Sequence, residues 1–273
     1  MRFALVTETF PPEVNGVAMT LNRLVSGLRG RGHVVTVIRP KPRWSVRRAA
    51  KREPQGRTPS VDCEVHVLGC PIPGYPELQF GRPAQGTLRK LWERARPDAV
   101  HVATEGPLGL TALWAARELG IPVISTYHTN FAAYGLHYGY GWFKRQVLEY
   151  FRYFHNRTAG TLVPSETVRN ALEAAGFERV DVLARGVDTD LFSPQRRSAQ
   201  LRQAWDVAAD TPVIAYVGRI AAEKNLPLTI EAFLAFREKV PQARMVLVGD
   251  GPLREQLQRQ HPEFHFAGMR HGE

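Results

Sequence analysis

The sequence of 273 residues contains only two cysteines, Cys63 and Cys70, and no uninterrupted apolar run near the roughly 18 residues of a membrane span. Two cysteines are too few for a disulfide framework, and they lack the paired spacing of a zinc site. The opening eight residues have a short apolar stretch and no small-residue cleavage site, unlike a secretory signal. These absences favour a cytoplasmic protein and exclude a disulfide-stapled scaffold.

Two nucleotide-binding signatures are also missing, since the sequence contains neither G-x-G-x-x-G nor G-x-x-x-x-G-K-[ST]. Their absence argues against a nicotinamide-dinucleotide enzyme and against a P-loop NTPase. The composition is that of an ordinary globular protein, with 44% hydrophobic and 23% charged residues. The length accommodates about two domains.

The positive charge is concentrated in residues 39–57, here called the basic stretch. These residues hold eight Lys and Arg side chains and one acid, Glu53, which is +7 of the formal net charge of +10. Three interpretations remain open: a solvated loop, a surface that adheres to anionic lipid headgroups with Trp44 and Val46 as apolar contacts, or a nucleic-acid site. No aromatic platform or groove-reading helix accompanies the cations, which disfavours nucleic acid.

Short runs rich in apolar and β-branched residues alternate with segments of helical periodicity. Because several runs are almost continuously apolar, we expect parallel strands that are covered on both faces. The predicted strands are residues 3–6, 34–38, 65–68, 99–102, 123–126, 161–163, 180–183, 213–217, 245–248 and 264–266. The predicted helices are residues 17–29, 86–95, 108–118, 143–155, 166–175, 199–205, 226–238 and 253–259. This alternation predicts an α/β protein with open parallel sheets.

A segment of turn-forming and basic residues, Phe192-Ser-Pro-Gln-Arg-Arg-Ser198, interrupts this alternation. It predicts a boundary between a first domain at residues 1–192 and a second at residues 193–273. The second domain would contain only two or three strands, which is thin for an independently stable parallel sheet. We therefore expect it to be a truncated part of a longer domain, and the chain to be a fragment.

In an open α/β sheet, ligands bind outside the carboxyl ends of the strands, so residues that directly follow strands are the candidate site residues. After the first predicted strand, Gly16 opens a helix, where backbone N–H groups favour an anion. A plain turn is the alternative for Gly16. Glu105 and His128 follow two later strands. A lone histidine is often only a structural hydrogen-bonding group, but a polar cluster at a strand end favours a functional one.

The second series of strands repeats this pattern and adds cations. Arg219 follows a predicted strand, and Lys224 lies five residues later in the same loop. The Arg fork and the Lys point charge suit a diphosphate, and a solvated basic loop is the alternative. After the next strand, Gly249 and Gly251 again precede a predicted helix.

Taken in order, these motifs resemble those of the family 4 retaining glycosyltransferases, in which two Rossmann-like domains face each other in the GT-B fold. The resemblance runs from residue 1 to residue 273. Its His-Thr-Asn-Phe variant is most similar to the GDP-mannose-dependent α-mannosyltransferases and the sulfoquinovosyl-lipid synthases of that family. The motifs that carry it are Phe10-Pro-Pro-Glu-Val-Asn-Gly16, Thr104-Glu-Gly-Pro-Leu-Gly109, Thr126-Tyr-His128-Thr-Asn130, Pro164-Ser165, Arg185-Gly-Val-Asp188, Val217-Gly-Arg219, Glu223-Lys224-Asn225 and Val248-Gly-Asp-Gly251.

The resemblance implies a role for each matching position. His128, Arg219 and Lys224 would be the catalytic residues. His128 would contact the transferred sugar, and the two cations would hold the diphosphate and offset its charge as it leaves. The other matching positions would contact substrates. Gly16 would meet the acceptor or the donor phosphate, Gly249 and Gly251 would lie against the nucleotide, and Arg185 and Asp188 would line the cleft between the domains. The remaining substrate-binding positions are Glu105, Asn130 and Gly218.

The predicted function is retaining transfer of a sugar, with mannose from GDP-mannose favoured, to a lipid or glycan acceptor at the cytoplasmic face of the membrane. No cofactor is expected besides this nucleotide-diphospho-sugar co-substrate, and no nucleic acid is expected as a partner. Asp188-Thr-Asp190 spells D-x-D, which binds a divalent metal in another glycosyltransferase fold. In this sequence the motif follows Arg-Gly-Val, a position typical of the family 4 glycosyltransferases, so we expect metal-independent transfer.

Two departures from the family pattern keep other functions open. The family's distal pair of glutamates, separated by seven residues, and its closing helix are both absent from the 273 residues. A sugar-nucleotide-binding protein without catalysis is one alternative. A UDP-sugar-dependent glucosyl- or sulfoquinovosyl-diacylglycerol transferase is the other.

Overall fold

The computed structural model describes residues 1–13, 15–42, 63–72, 75–128 and 144–270, except for the side chains of residues 72, 75–78 and 144. The strands are β1 (Arg2–Val6), β2 (Val34–Pro40), β3 (Glu64–Val67), β4 (Gly69–Ile72), β5 (Tyr75–Gly81), β6 (Ala99–Val102), β7 (Val123–Thr126), β8 (Gly160–Val163), β9 (Val180–Val182), β10 (Val213–Val217), β11 (Arg244–Val248) and β12 (His265–Gly268). The helices are α1 (Gly16–Gly30), α2 (Gln85–Arg94), α3 (Pro107–Glu118), α4 (Lys144–His155), α5 (Glu166–Ala174), α6 (Ala199–Ala204), α7 (Leu226–Lys239) and α8 (Arg254–Gln260). Every strand and helix predicted from the sequence is confirmed, with ends that differ by a few residues. No helix within these ranges has both the length and the apolar character needed to cross a membrane.

The described residues form two compact units, one ending at Arg185 and the other beginning at Gly186. This division precedes the boundary expected after residue 192. The first unit is built on a sheet with strand order β3-β2-β1-β6-β7-β8-β9, in which all neighbours are parallel. The order of strand addition reverses between β1 and β6. Ligands of open α/β sheets bind outside the carboxyl ends of the strands at such a reversal.

Both faces of this sheet are covered by helices. Along β1, Ala4 and Val6 pack with Leu113 of α3, whereas Leu5 packs on the other face with Leu21 of α1. Successive residues of a strand point to opposite faces, so the continuous apolar run of β1 contributes to two cores. This arrangement confirms the prediction of parallel strands buried on both sides.

One element of the first unit was not predicted from the sequence. β4 and β5 pair in antiparallel fashion and form a two-stranded ribbon separate from the main sheet. Pro71 and Pro76 lie inside these strands, and proline argues against a strand because it cannot donate to the hydrogen-bond ladder. A two-stranded ribbon accommodates proline because each of its strands is an edge strand.

The second unit contains the parallel sheet β10-β11-β12. Its core is formed where Met245 and Leu247 of β11 pack with Ile230 and Phe233 of α7. Phe233 and Phe264 meet edge to face with ring centroids 5.3 Å apart, a favoured geometry for aromatic pairs. The carboxyl ends of β10 and β11 lead into the two glycine-containing turns that the sequence singled out.

Candidate active site

The loop between β1 and α1 is held by hydrogen bonds between its own side chains. Thr7 Oγ1 donates to the carbonyl oxygen of Thr9 at 2.8 Å, and Asn15 Nδ2 donates to Thr9 Oγ1 at 2.6 Å. Asn15 also caps α1, because its Oδ1 accepts the N–H of Ala18 at 2.9 Å. Gly16 is the first residue of α1, and no atom of the described chain lies within 4 Å of the position that a β-carbon would take there. The described residues thus leave open space at the start of the helix, where backbone N–H groups favour an anion.

Arg39, near the end of β2, braces the same loop. Its side chain is 3% exposed, and its Nη1 donates to the carbonyl oxygen of Phe10 at 2.6 Å. The guanidinium lies 3.6 Å from the carboxylate of Glu13 and 3.3 Å from that of Glu64. The N–H of Phe10 in turn donates to Glu13 at 2.8 Å. Burial lowers the pKa of Arg39 and raises the pKa of Glu13, and the ion pair between them opposes both shifts.

Arg39 therefore does not belong to a basic surface, which corrects one part of the sequence prediction. The sequence groups Arg39 with the cations that follow it, but residue 39 lies within a strand between β1 and β3, where the side chain is buried and paired with two carboxylates. Lys41, two residues later, is exposed. The other cations of the basic stretch, from residue 43 to residue 57, lie outside the described residues.

Glu8, the second residue after β1, is a partly buried carboxyl at the point where the strand order reverses. Its Oε1 accepts the N–H of Gly81 at 3.3 Å, and the N–H of Leu108 in the first turn of α3 also bonds to the carboxyl. Gly106 leaves room for it, because a β-carbon there would lie 2.1 Å from Glu8 Oε1. Burial and, to a smaller extent, the charge of Glu105 raise the pKa of Glu8 to about 8, although the two N–H groups lower it. The carboxyl is therefore mostly protonated at neutral pH.

Glu105, which follows β6, takes part in a buried hydrogen-bond network. Its Oε1 bonds to Nε2 of His155 at 3.0 Å, and Nδ1 of His155 bonds to Oγ of Ser125 at 2.8 Å. The hydroxyls of Thr158 and Thr161 lie 3.0 and 3.1 Å from Ser125 Oγ. Each of these five residues is at most 6% exposed. Because Ser125 is fully buried, this serine–histidine–glutamate chain does not present a nucleophile and instead fixes the strand ends.

His128 lies two residues after β7, at the same edge of the sheet. Its Nε2 is buried and has no hydrogen-bond partner in the part of the chain that the structure describes. Burial, followed by the neighbouring His101 and Arg185, lowers the pKa of His128 to about 4. The ring is therefore neutral at pH 7 and offers one N–H donor and one acceptor. Its carbonyl oxygen accepts Nη2 of Arg185 at 3.4 Å, and Asn130 lies outside the described residues.

In the second unit, the turns that follow β10 and β11 lie side by side. The N–H of Gly218 donates to the carbonyl oxygen of Val248 at 2.9 Å. Gly249 has a φ of +141°, and a β-carbon on it would lie 1.9 Å from the carbonyl oxygen of Gly218. A β-carbon on Gly251 would lie 2.4 Å from the carbonyl oxygen of Ile220. The close approach of the two turns therefore requires glycine.

Arg219 and Lys224 lie in the loop between β10 and α7. Arg219 Nη1 is 3.0 Å from Oε1 of Glu223, and the exposed fractions of the two side chains are 45% and 4%. A buried carboxylate thus orients an accessible guanidinium. Lys224 ends the short 3-10 turn Ala222–Lys224 and is exposed, and no carboxylate among the described residues pairs with it. The loop therefore presents one oriented and one solvent-exposed cation beside the glycine turns.

Asp188 lies in the second unit and stabilises its own turn. Its Oδ1 accepts the N–H groups of Asp190 and Leu191 at 3.1 and 2.9 Å. Oδ1 of Asp188 therefore takes part in the local turn. Across the described ranges, no three His, Cys, Asp or Glu side chains are close enough together to hold a metal ion.

Two residues of the first unit's site were missed by the sequence reasoning. Glu8 stands directly after a predicted strand, so the rule that selected Glu105 could also have selected it. His155 ends a helix and carries no positional signal in the sequence. Only the packing of α4 against the sheet brings its ring to Glu105 and Ser125.

Comparison with known proteins matches each of the two units to a family. Glycosyltransferase Family 4 matches residues 14–191, and Glycosyl transferases group 1 matches residues 198–265. Over all of its length the chain is 34% identical to the GDP-mannose-dependent alpha-mannosyltransferase of Mycobacterium tuberculosis, of which it covers 68%. It is 30% identical to the sulfoquinovosyl transferase SQD2 of Arabidopsis thaliana, over 73% of this chain and 38% of that protein. The structure of Anabaena HepE in complex with UDP and glucose superposes with a TM-score of 0.67 at 20% identity, covering 99% of this chain and 70% of HepE.

The two successive Rossmann-like units give the chain the GT-B fold. The two matching families and the mannosyltransferase relative show that it is a glycosyltransferase. The chain belongs to Glycosyltransferase Family 4. It spans about two thirds of the length of the mycobacterial mannosyltransferase.

Proposed function

We propose that this glycosyltransferase uses GDP-mannose as its donor and transfers mannose, with retention of anomeric configuration, to a hydroxyl group of a lipid or glycan acceptor. The observation that carries the proposal is the pair of glycine turns in the second unit with Arg219 and Lys224 beside them. The 34% identity to a GDP-mannose-dependent enzyme over the whole chain supports mannose as the sugar.

The edge of the second unit at the carboxyl ends of β10 and β11, here called the donor edge, suits a nucleoside diphosphate for two reasons. Gly249 and Gly251 let the two turns approach each other closely at the carboxyl ends of β10 and β11, which is the edge where open α/β sheets bind ligands. Arg219 offers a guanidinium whose direction is set by Glu223, and Lys224 offers a point charge that can follow the diphosphate. Two protein cations of this kind supply the charge that a divalent metal supplies in other transferases, so the proposed reaction is metal-independent.

In the proposed reaction, the bond between the anomeric carbon and the diphosphate oxygen breaks. The acceptor hydroxyl oxygen bonds to the anomeric carbon on the same face, and the acceptor proton passes to an oxygen of the leaving diphosphate. The diphosphate gains negative charge as the bond breaks. Arg219 and Lys224 therefore stabilise the transition state more than the bound donor, which lowers the barrier.

The first unit contributes neutral groups that suit a polyhydroxylated substrate. His128 is uncharged at pH 7 and carries a buried Nε2 that has no partner among the described residues. Glu8 is mostly protonated, so it can donate a hydrogen bond as well as accept one. The described residues leave space at Gly16 for a substrate at the start of α1. These features support a hydroxyl-rich ligand at this edge.

The donor is tested by thermal unfolding of the 273-residue chain with GDP, GDP-mannose, UDP and UDP-glucose. A ligand at 100 times its dissociation constant stabilises a two-state fold by about 2.7 kcal/mol, which raises the Tm by several degrees. A shift with the GDP compounds alone supports the proposal. No shift with any of the four contradicts a nucleotide site in this chain and favours a protein without catalysis.

A UDP-sugar donor is the second candidate. HepE is seen in complex with UDP and glucose, and SQD2 is named for the transfer of sulfoquinovose, one of the sugars of this candidate. In the same titration, a Tm shift with UDP and UDP-glucose but not with the GDP compounds would replace GDP-mannose by this candidate.

We also propose a cytoplasmic location with peripheral attachment to the inner face of the cell membrane. The seven cations of residues 41–57 support it, since each basic residue near an anionic surface contributes on the order of 1 kcal/mol. Arg39 is buried and does not contribute. Binding to anionic vesicles should weaken as salt rises and should fall in the double variant Arg47→Glu with Arg48→Glu. Binding that neither salt nor this variant changes would refute the attachment.

A further inference from the structure

A cavity of about 640 Å³ lies in the second unit at the end of the sheet opposite to the glycine turns. Thr211, which precedes β10, and Gln242, which precedes β11, line it. Gly218 and Gly249 follow the other ends of the same strands. Because each strand has five residues and a strand rises about 3.3 Å per residue, roughly 15 Å of sheet separates the cavity from the donor edge. The cavity is therefore not part of the donor site.

The lining of this cavity is strongly basic. Arg197, Arg202 and Arg244 line it, and Asp206 is the one acidic residue of the lining. Elsewhere in the second unit, arginines such as Arg219 pair with carboxylates. None of the three cavity arginines has a carboxylate within 4 Å among the described residues. The cavity thus holds three positive charges against one negative charge.

Backbone carbonyl groups hold all three guanidinium groups in place. Arg197 Nη2 donates to the carbonyl oxygen of Ala209. Arg202 Nη2 donates to the carbonyl oxygens of Ala208 and Thr211, both at 2.5 Å. Arg244 Nη1 donates to the carbonyl oxygen of Gln242 at 3.3 Å. A neutral carbonyl orients a guanidinium without cancelling its charge. Each guanidinium has five N–H donors, so donors remain for a ligand.

We infer that this cavity binds a phosphate group, carried either by a soluble phosphate ester or by a phospholipid headgroup. Oriented arginines bind phosphate oxygens through paired N–H groups, and their hydrogen bonds to carbonyl oxygens lower the entropy cost of ordering the side chains on binding. The volume exceeds that of one phosphate ion and lies in the range of small-molecule sites, which leaves room for a substituent on the bound phosphate. The site is independent of the proposed glycosyl transfer.

The test is isothermal titration of the chain with inorganic phosphate and with glycerol 3-phosphate at low salt. The double variant Arg197→Gln with Arg244→Gln removes two cavity cations and spares Arg202, whose bonds hold the loop from residue 208 to residue 211. We expect phosphate affinity to fall at least tenfold. The matched control, Arg259→Gln with Lys239→Gln, removes two exposed cations outside the cavity lining and should leave the affinity unchanged.

Two results would overturn the inference: no binding to the unmodified chain, or equal affinity in the unmodified chain and the double variant, which would place the bound phosphate outside this cavity. Arg244→Gln alone provides the same comparison if the double variant unfolds, because the carbonyl partners of Arg244 are its own neighbours in the chain. Co-sedimentation with phosphatidylglycerol vesicles distinguishes a phospholipid headgroup from a soluble phosphate ester as the source of the phosphate. Sedimentation that needs Arg197 and Arg244 supports a lipid headgroup, and glycerol 3-phosphate binding without sedimentation supports a soluble ester.

Discussion

The carboxyl group of Glu8 lies against the α-carbon of Gly106, where a β-carbon would be 2.1 Å from Oε1 and 2.3 Å from Oε2. Gly106 is the N-cap of α3 and has no side chain that could cap the helix. The Glu8 carboxyl, which also bonds to the N–H of Leu108, takes that place. The N–H of Gly81 joins β5 to the same carboxyl. One side chain therefore connects three segments at the reversal of the strand order.

Replacing Gly106 by alanine should destabilise the protein by about 1–3 kcal/mol, because the Glu8 carboxyl must leave and the N–H groups that it accepts lose their partner. Urea unfolding followed by circular dichroism measures the change. Gly86→Ala in α2 is the matched control, since no described atom lies within 4 Å of a β-carbon there and alanine favours a helix. Equal unfolding free energies for Gly106→Ala and the unmodified protein would contradict the packing of Glu8 on Gly106.

Glu8 should make the stability depend on pH. Its pKa rises from 4.5 to about 8 on folding, so between these values the folded protein keeps a proton that the unfolded chain has released. Stability therefore falls as pH rises through this window and levels off above about pH 8. Between pH 6.5 and 8 the expected loss is on the order of 1–2 kcal/mol.

The variant Glu8→Gln isolates this effect, because glutamine stays neutral at every pH. His101 and His128, whose pKa values are lowered from 6.5 to about 4, add stability as pH rises from 4 and level off about one pH unit above 6.5, to the same extent in both proteins. The unfolding free energies of the two proteins, measured from pH 6.5 to 8.5, should converge as pH falls toward neutrality. Parallel curves over this range would show that Glu8 is already ionised at pH 6.5.

Arg39 should matter for the shape of the β1–α1 loop and not for surface charge. Arg39→Ala leaves Glu13 and the carbonyl oxygen of Phe10 buried without their partner, and the expected cost is about 3–5 kcal/mol. Lys41→Ala removes a charge two residues later at an exposed position and should change stability by less than about 0.5 kcal/mol. Urea unfolding measures both. Similar losses of unfolding free energy in the two variants would refute the buried role of Arg39 in holding the β1–α1 loop.

Much of the fold could be predicted from the sequence because its strands are continuous apolar runs followed at once by polar or glycine residues. β1 and β11 show both features, and a position just after such a run is enough to select His128 and Arg219 as site candidates, whereas Gly16 is selected because it opens the helix that follows β1. The pairing partners of charged residues could not be predicted in this way. Arg39 is one cation among eight in the sequence, and only the position of β2 between β1 and β3 shows that it is buried.

The same limit applies to residues whose role depends on packing between distant segments. His155 reaches Glu105 across 50 positions of sequence, and Glu8 reaches Gly81 across 73. Local periodicity carries no information about such contacts. The ribbon of β4 and β5 was missed for a different reason, because Pro71 and Pro76 contradict the local strand pattern.

Gly16 should be replaceable without loss of stability but not without loss of activity. Its φ lies outside the left-handed region and no described atom lies near its β-carbon position, so Gly16→Ala should unfold within about 1 kcal/mol of the unmodified protein. The added methyl group enters the space proposed for substrate, and sugar transfer should fall at least tenfold. Gly30→Ala, at the other end of α1 and equally open, should keep its activity. Full activity in Gly16→Ala would contradict the proposal that a substrate binds at the start of α1.

Lys224 should contribute to turnover through the charge of its ammonium group. If it offsets charge on the departing diphosphate, Lys224→Ala should lower kcat at least tenfold, which corresponds to about 1.4 kcal/mol of transition-state stabilisation. The Tm should stay the same, because Lys224 is exposed and pairs with no carboxylate among the described residues. Lys239→Ala, at the exposed end of α7, is the control for loss of one charge. A rise in KM with kcat unchanged would show instead that Lys224 binds donor and transition state equally, and wild-type kinetics would exclude it from the diphosphate site.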